Sequence, residues 1–359
     1  MSFSEKTKKA LGITTTNNTQ KYTYSLLPIA FKGTRFWKPI IAVFVGIVLS
    51  TILQAVVLIL SYYGLNFDKS HTFIAYINML TGQINGTNLP VLFVMFSSVG
   101  VMLPAVFITL FICRMAPIRM ISSVELRLRW KFLFKSLLVS LSIILVATLG
   151  ITALDNSLFD LSLPKEVASG SFWILFIILV FVCIPIQCAA EEYIFRGFIM
   201  QTLGAWFKSP VLAILIPSIA FAFAHLYQAW AFFDVLIFGL LSGYLAHKTG
   251  GLEASIAIHT ANNVFSILSV IFIYKSYDPN ASGSFISLLI TVVELLAITF
   301  IVLFMAKKAN LQTTFNVSEN LNNKYVLANT SENEHRIILS TKSINNNPDT
   351  SNKNYFSNH

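Results

Sequence analysis

Long apolar runs separated by short polar connections dominate this chain from residue 39 to residue 306. Eight of them, near 39–63, 89–113, 132–154, 172–190, 210–227, 231–247, 252–274 and 284–306, approach or exceed the roughly 20 residues with which an α-helix crosses a hydrocarbon core. Lipid offers no partner for unpaired backbone groups, so helices are the open-ended structures that can span it. The pattern therefore predicts an all-α polytopic membrane protein of about eight transmembrane helices. Three regions follow: a polar, basic N-terminal segment (1–38), a transmembrane helical domain (39–306) and an Asn-, Ser- and Thr-rich tail (307–359) with few clustered apolar positions, which reads as disordered.

Composition sharpens this picture. The chain is 55% hydrophobic, 11% charged and has a mean hydropathy of +0.70, more apolar surface than a soluble domain needs. The first apolar run is about twice a signal-peptide core, which marks it as an uncleaved anchor preceded by a cytoplasmic segment. With the N-terminus inside, 18 Lys and Arg residues fall near the inner ends of the helices, and Lys69, Lys165 and Lys275 fall outside. That asymmetry predicts an even number of helices with both termini cytoplasmic. The net charge of +9 is then a matter of topology and contact with anionic lipid, not of nucleic-acid binding. Cys113, Cys183 and Cys188 lie in or at apolar runs and suggest no disulfide framework.

Ionisable residues inside spans mark functional sites by default. Here they are Glu191, Glu192, His225, Asp234, His259 and Glu294. In "AAEEYIFR", Glu192 and Arg196 stand four apart with the acid first, the better orientation for a helical ion pair. Glu191 points about 100° away, and its neighbours at four-residue spacing are Gln187 and Phe195. An acid left unpaired in a partly dry site suits a general base or acid, although a pair of carboxylates with an arginine can equally serve as an interface anchor. His259 and Asn263 share a helix face and can donate hydrogen bonds to one point, as an oxyanion needs; an interhelical polar contact would use the same pair. Asp234, close to the outer boundary of its span, reads as interfacial. Glu294 lies mid-span with no partner visible in the sequence.

Taken in order, Glu191 to Arg196 fit EExxxR, Phe221 to His225 fit FxxxH, and His259 to Asn263 fit HxxxN. This ordered set, within about residues 170–275, resembles the CAAX protease and bacteriocin-processing family of intramembrane endopeptidases. The resemblance implies that Glu191, acting with His225, activates a water, that His259 and Asn263 stabilise the tetrahedral oxyanion, and that Glu192 and Arg196 form the structural ion pair. It also implies a membrane-associated or lipidated peptide substrate, in processing, peptide signalling or bacteriocin self-immunity. The Gly-rich "FGLLSGYLAHKTGG" resembles the family's stretch between the two histidine motifs, and its small residues suit close helix approach. Glu191, His225 and His259 could hold zinc. No HExxH is present, however, and a metal-free glutamate mechanism is the preferred reading, with no cofactor.

Two other classes compete. A proton-coupled transporter also places Glu and His in spans, but predicts interrupted helices in two related halves, whereas the polar residues here gather in one stretch. A non-catalytic scaffold would not need all four groups of the signature. The expected partners are the lipid bilayer and a membrane-associated peptide; abundant Asn, Lys, Ile and Phe suit an AT-rich bacterial genome, hence a bacterial plasma membrane. One difficulty is depth. Counted along upright helices from the inner boundary, Glu191 stays near that boundary while His225 lies roughly 22 Å and His259 roughly 10 Å above it. Kinks at Pro185 and Pro217 would be one remedy.

Overall fold

The computed structural model describes residues 14–16, 19–31, 35–65, 89–115, 117–154, 170–269, 271 and 283–317. A helix occupies each of the eight apolar windows. In order these are α1 (Lys38–Leu65), α2 (Leu89–Gly100) running on into α3 (Met102–Ile112), α4 (Trp130–Leu154), a rod that begins as α5 (Gly170–Ile178), α8 (Pro210–Ala224), α9 (Ala229–Thr249), α10 (Glu253–Ser269) and α11 (Phe285–Lys308). Among the described residues, six are long and apolar enough to cross a membrane. α8, with 15 described residues, and α10, with 17, are shorter, so six of the eight windows hold candidate spans. Large apolar side chains such as Phe44, Leu60, Phe111, Phe181 and Phe300 are exposed along the outer helices, where a lipid belt would cover them.

α10 shows why length alone misled. Its sequence, EASIAIHTANNVFSILS, is rich in Ala, Ser, Thr and Asn, and every residue from Glu253 to Ala261 is buried. Small and weakly polar side chains let neighbouring helices approach closely, so α10 becomes the central post, packed by α4, α9 and the glutamate-bearing helix.

The fourth window extends well beyond its expected end. After α5 comes a π-helical turn (Leu179–Cys183), then α6 (Ile184–Glu192), a second π-helical stretch (Tyr193–Ile199) and α7 (Met200–Phe207), all in one continuous rod. Pro185 accounts for the first π turn: it has no N–H, and its ring crowds the carbonyl four residues back, which the wider turn relieves. Glu191 and Glu192 therefore sit in the middle of a 36-residue span (Phe172–Phe207) and not at its end.

This resolves the depth problem. Lys208, with φ of 51°, closes the rod, and Ser209 caps α8, its side chain accepting from the Leu212 amide. α8 folds back along α7 and the second π stretch, so its roughly 22 Å climb retraces the path from Phe207 to the glutamates. α10 begins deep as well: Leu252 already lies against Gly197, five residues past Glu192. A buried Arg129 fixes that start by donating to Glu253 through its backbone N (2.8 Å), Nε (2.9 Å) and Nη2 (2.6 Å), and to the carbonyls of Thr249 and Gln312.

Small residues join the hairpin. A Cβ on Gly239 would come within 3.2 Å of Ser218, and one on Gly243 within 3.1 Å of Ile214, so α9 and α8 touch backbone to side chain, as the Gly-rich stretch predicts.

The termini are more ordered than expected. A three-stranded antiparallel sheet joins β1 (Thr14–Thr16), β2 (Thr19–Thr23) and β3 (Thr314–Asn316), with Lys21 opposite Asn316. A 3-10 helix (Tyr24–Ala30) then buries Tyr24, Leu26 and Leu27, and Phe31 packs on Phe315 with ring centres 5.1 Å apart. The described fold is thus helical with a small sheet, in which the segments before α1 and after α11 pair with one another. The remainder of the N-terminal segment (1–13) and of the tail (318–359) lies outside the described residues. A Cβ at Gly204 of α7 would collide with the carbonyl oxygen of Ser25. Gly204→Ala should accordingly cost about 1–3 kcal/mol through overpacking and loosen residues 19–31. Limited proteolysis in membranes should show faster cleavage there, and unchanged cleavage would mean that this contact does not hold the segment.

Candidate active site

Glu192 is the most enclosed group of the site, with no exposed surface. Arg196 Nη1 donates to its Oε1 at 2.9 Å, and His259 Nδ1 donates to the same oxygen at 2.9 Å. Ser242 Oγ donates to Oε2 at 3.0 Å. The carboxylate is thus shared among three elements: its own rod, α9 and α10. Arg196 is itself buried, donating from Nη2 to the Gly239 carbonyl at 3.1 Å and lying 4.5 Å over the Phe221 ring. Its charge is neutralised by hydrogen bonds on one side and a ring face on the other. Sequence spacing anticipates the Arg196 contact; the bonds to His259 and Ser242 depend on the packing of α9 and α10.

Glu191 differs in every respect. Its side chain keeps 15% of its surface accessible, against 0% for Glu192, although its Oε2 is itself buried. Glu191 Oε2 stands 3.5 Å from His259 Nε2 and makes no hydrogen bond among the described residues. His259 therefore sits between the two acids, one per ring nitrogen. With Nδ1 donating to Glu192, the ring donates from Nε2 as well only when it carries its second proton.

His225 follows the last residue of α8, and its Nδ1 lies 2.8 Å from the Phe221 carbonyl. A carbonyl accepts, so Nδ1 carries the hydrogen and Nε2 of the neutral ring keeps its lone pair. Phe221 ties the site together: its ring is 4.5 Å from that of His225 and 5.9 Å from that of His259, and the Arg196 guanidinium lies over it. Phe238 packs against His259 from α9, with ring centres 5.0 Å apart. Asn263 Nδ2 donates to Gln187 Oε1 at 3.0 Å and lies 3.4 Å from Cys188 Sγ. Gln187 sits one turn before Glu191, and only that four-residue spacing marks it in the sequence.

His225, His259, Asn263 and Gln187 line one cavity of about 440 Å³. Glu191 stands behind His259 and is not part of the cavity wall. α2 supplies the apolar side with Leu92, Met95, Phe96 and Val99; Asp234 and Thr291 close another part. Asp234, in the second turn of α9, thus lines the same cavity as the two histidines. The donor arrangement does not fit a metal. Among the described residues no group of three or more His, Cys, Asp and Glu side chains is placed to share an ion, and the Glu192 oxygens are already taken.

Residues 170–265 match the family profile described as type II CAAX prenyl endopeptidase Rce1-like. Over this stretch the chain is similar to the CAAX prenyl endopeptidase family. The match covers the glutamate rod, α8, α9 and most of α10, the elements that meet around Glu192. The uncharacterized protein YyaK of Bacillus subtilis (strain 168) is 37% identical over 111 residues, which amount to 29% of this chain and 36% of the relative. The chain thus spans about a third of the length of the curated relative it matches. No solved structure matches it.

Glu192→Gln should leave Arg196 buried without its counter-charge, a loss of about 3–5 kcal/mol when one partner of a buried pair is removed. Thermal unfolding in detergent should show a lowered midpoint, with partial recovery on adding Arg196→Met, whereas Glu191→Gln should unfold near wild type. A Glu192→Gln midpoint equal to wild type would show that the carboxylate is not the anchor of the bundle.

Proposed function

We propose that this chain is an intramembrane endopeptidase that hydrolyses a peptide bond in a membrane-associated or lipidated peptide through a water activated by Glu191 and His225. The observation that carries this reading is the asymmetry of the glutamate pair. One acid is sealed into a structural hub, and its neighbour is accessible and unpaired beside a histidine on the wall of a cavity.

The chemistry follows from the groups present. Glu191 takes a proton from water as the water oxygen attacks the carbonyl carbon, while His225 Nε2 accepts from the same water and orients it. The carbonyl oxygen gains charge and is met by Nε2–H of a doubly protonated His259 and by the Asn263 amide hydrogen that turns from Cys188 Sγ, the other staying on Gln187. Collapse breaks the C–N bond, and the proton held by Glu191 passes to the leaving amine. Glu192 acts through His259: it holds the ring by Nδ1 and balances the positive charge that donation from both nitrogens requires. Zinc held by Glu191, His225 and His259 has no role in this scheme.

The family match supports peptidase chemistry at this site, and the apolar α2 wall suits an apolar or lipid-bearing segment. A short exported or signalling peptide in a bacterial plasma membrane is the substrate class and setting proposed. Bacteriocin self-immunity falls within that class.

Comparative peptidomics of cells expressing wild type or Glu191→Gln at equal levels tests the reading. New peptide C-termini should appear with wild type alone, and chelators should leave that set unchanged. Identical peptide sets from two folded, inserted proteins would remove Glu191 as the base and favour a carrier or scaffold; loss of cleavage on chelation, restored by zinc, would overturn the metal-free mechanism.

A further inference from the structure

Asp234 plays no part in the hydrolytic scheme, yet it stands on the wall of the same cavity. Its Oδ1 is shielded from solvent and has no hydrogen-bond partner among the described residues, while the Thr291 side chain hydrogen-bonds the carboxyl group. A carboxylate met by one hydroxyl in a partly dry site is incompletely compensated, so the position favours a positive charge that arrives from outside the fold.

The rest of the cavity points the same way. Among the described residues its titratable lining groups are His225, Tyr227, Asp234 and His259, and no Lys or Arg lines it. Arg196, the nearest cation of the hub, is screened by Phe221 and committed to Glu192 and Gly239. Glu191 and Glu192 stand beside His259, and Asp234 adds a third acid at the α9 side of the cavity, which favours a cationic side chain near Asp234, away from the oxyanion donors His259 and Asn263.

Geometry sets the register. Asp234, Phe238 and Ser242 recur every four residues on α9; Ser242 contacts Glu192 and Phe238 packs on His259. Asp234 lies one helical turn beyond Phe238, about 6 Å along the axis. That is close to two residues of an extended peptide at about 3.3 Å each.

We propose that Asp234 is a specificity residue that accepts the ammonium or guanidinium of a Lys or Arg side chain about two residues from the scissile bond. The apolar side chains next to it would rest on Leu92, Met95 and Phe96. This rests on the peptidase reading, but its test does not require turnover.

The test uses the full chain carrying Glu191→Gln, in nanodiscs, with fluorescent peptide amides of one apolar frame bearing Lys, norleucine or Glu at successive positions. Anisotropy should show the Lys peptide binding about tenfold or more tighter than its norleucine counterpart at one position, the scale of a hydrogen bond to a charged group. Asp234→Asn should bring the two within about twofold, and Asp234→Lys should shift preference to the Glu peptide. Asp234→Ser replaces the Asn variant if the latter fails to fold. Equal binding of Lys and norleucine peptides, a Lys preference that survives removal of Asp234, or no binding of any peptide would overturn the assignment. Turnover of the same peptides by wild type separates the two ideas: Lys-selective binding without cleavage keeps the subsite and sinks the peptidase, and cleavage without Lys preference does the reverse.

Discussion

A carboxylate with no exposed surface, inside a bundle of apolar helices, is costly by several kcal/mol unless its lone pairs are met. Glu192 meets that cost with Arg196, His259 and Ser242, drawn from three separate elements. Arg196 extends the demand to a fourth, because its charge is also covered by the Phe221 ring of α8 and the Gly239 carbonyl of α9. None of these elements can move away without stranding a buried charge, so the hub holds the rod, α8, α9 and α10 in one arrangement. The orientation of His259 is a by-product of that requirement, and the accessible Glu191 inherits a fixed neighbour.

A second buried pair sets the depth of the site. Arg129 and Glu253 bind the start of α10 to the segment before α4 and to the Thr249 and Gln312 carbonyls. Because α10 starts level with Gly197, six residues of helix suffice to bring His259 to the glutamates. The two clamps lie at different heights and share α10, which explains why that helix is buried although its sequence is not the most apolar.

The adjacent glutamates show how one helix turn can present two acids to different surroundings. Neighbouring residues on a helix diverge by about 100°, so one acid faces the hub while the other keeps part of its surface accessible beside His259. The cavity beside them joins an apolar wall from α2 to a polar wall from α10 and an acid from α9, a combination suited to holding an extended chain by its side chains while its backbone lies near His225 and His259.

Apolar run length and the i,i+4 spacing of Glu192 and Arg196 determined a helical membrane protein, the centre of its chemistry and the pairing within one helix, because these depend on local periodicity alone. The spacing also set Glu191 apart from its neighbour and placed His259 and Asn263 on one face. Tertiary structure decided the rest. That the rod continues through a π stretch to Phe207, that α8 folds back along it, and that α10 starts deep are consequences of packing, and counting from a common boundary could not reveal them. The bonds of Glu192 to His259 and Ser242 span 67 and 50 residues of sequence. The place of Asp234 on the cavity wall was hidden for the same reason: sequence supplies depth along a helix, whereas the direction a side chain faces depends on which neighbours the helix meets.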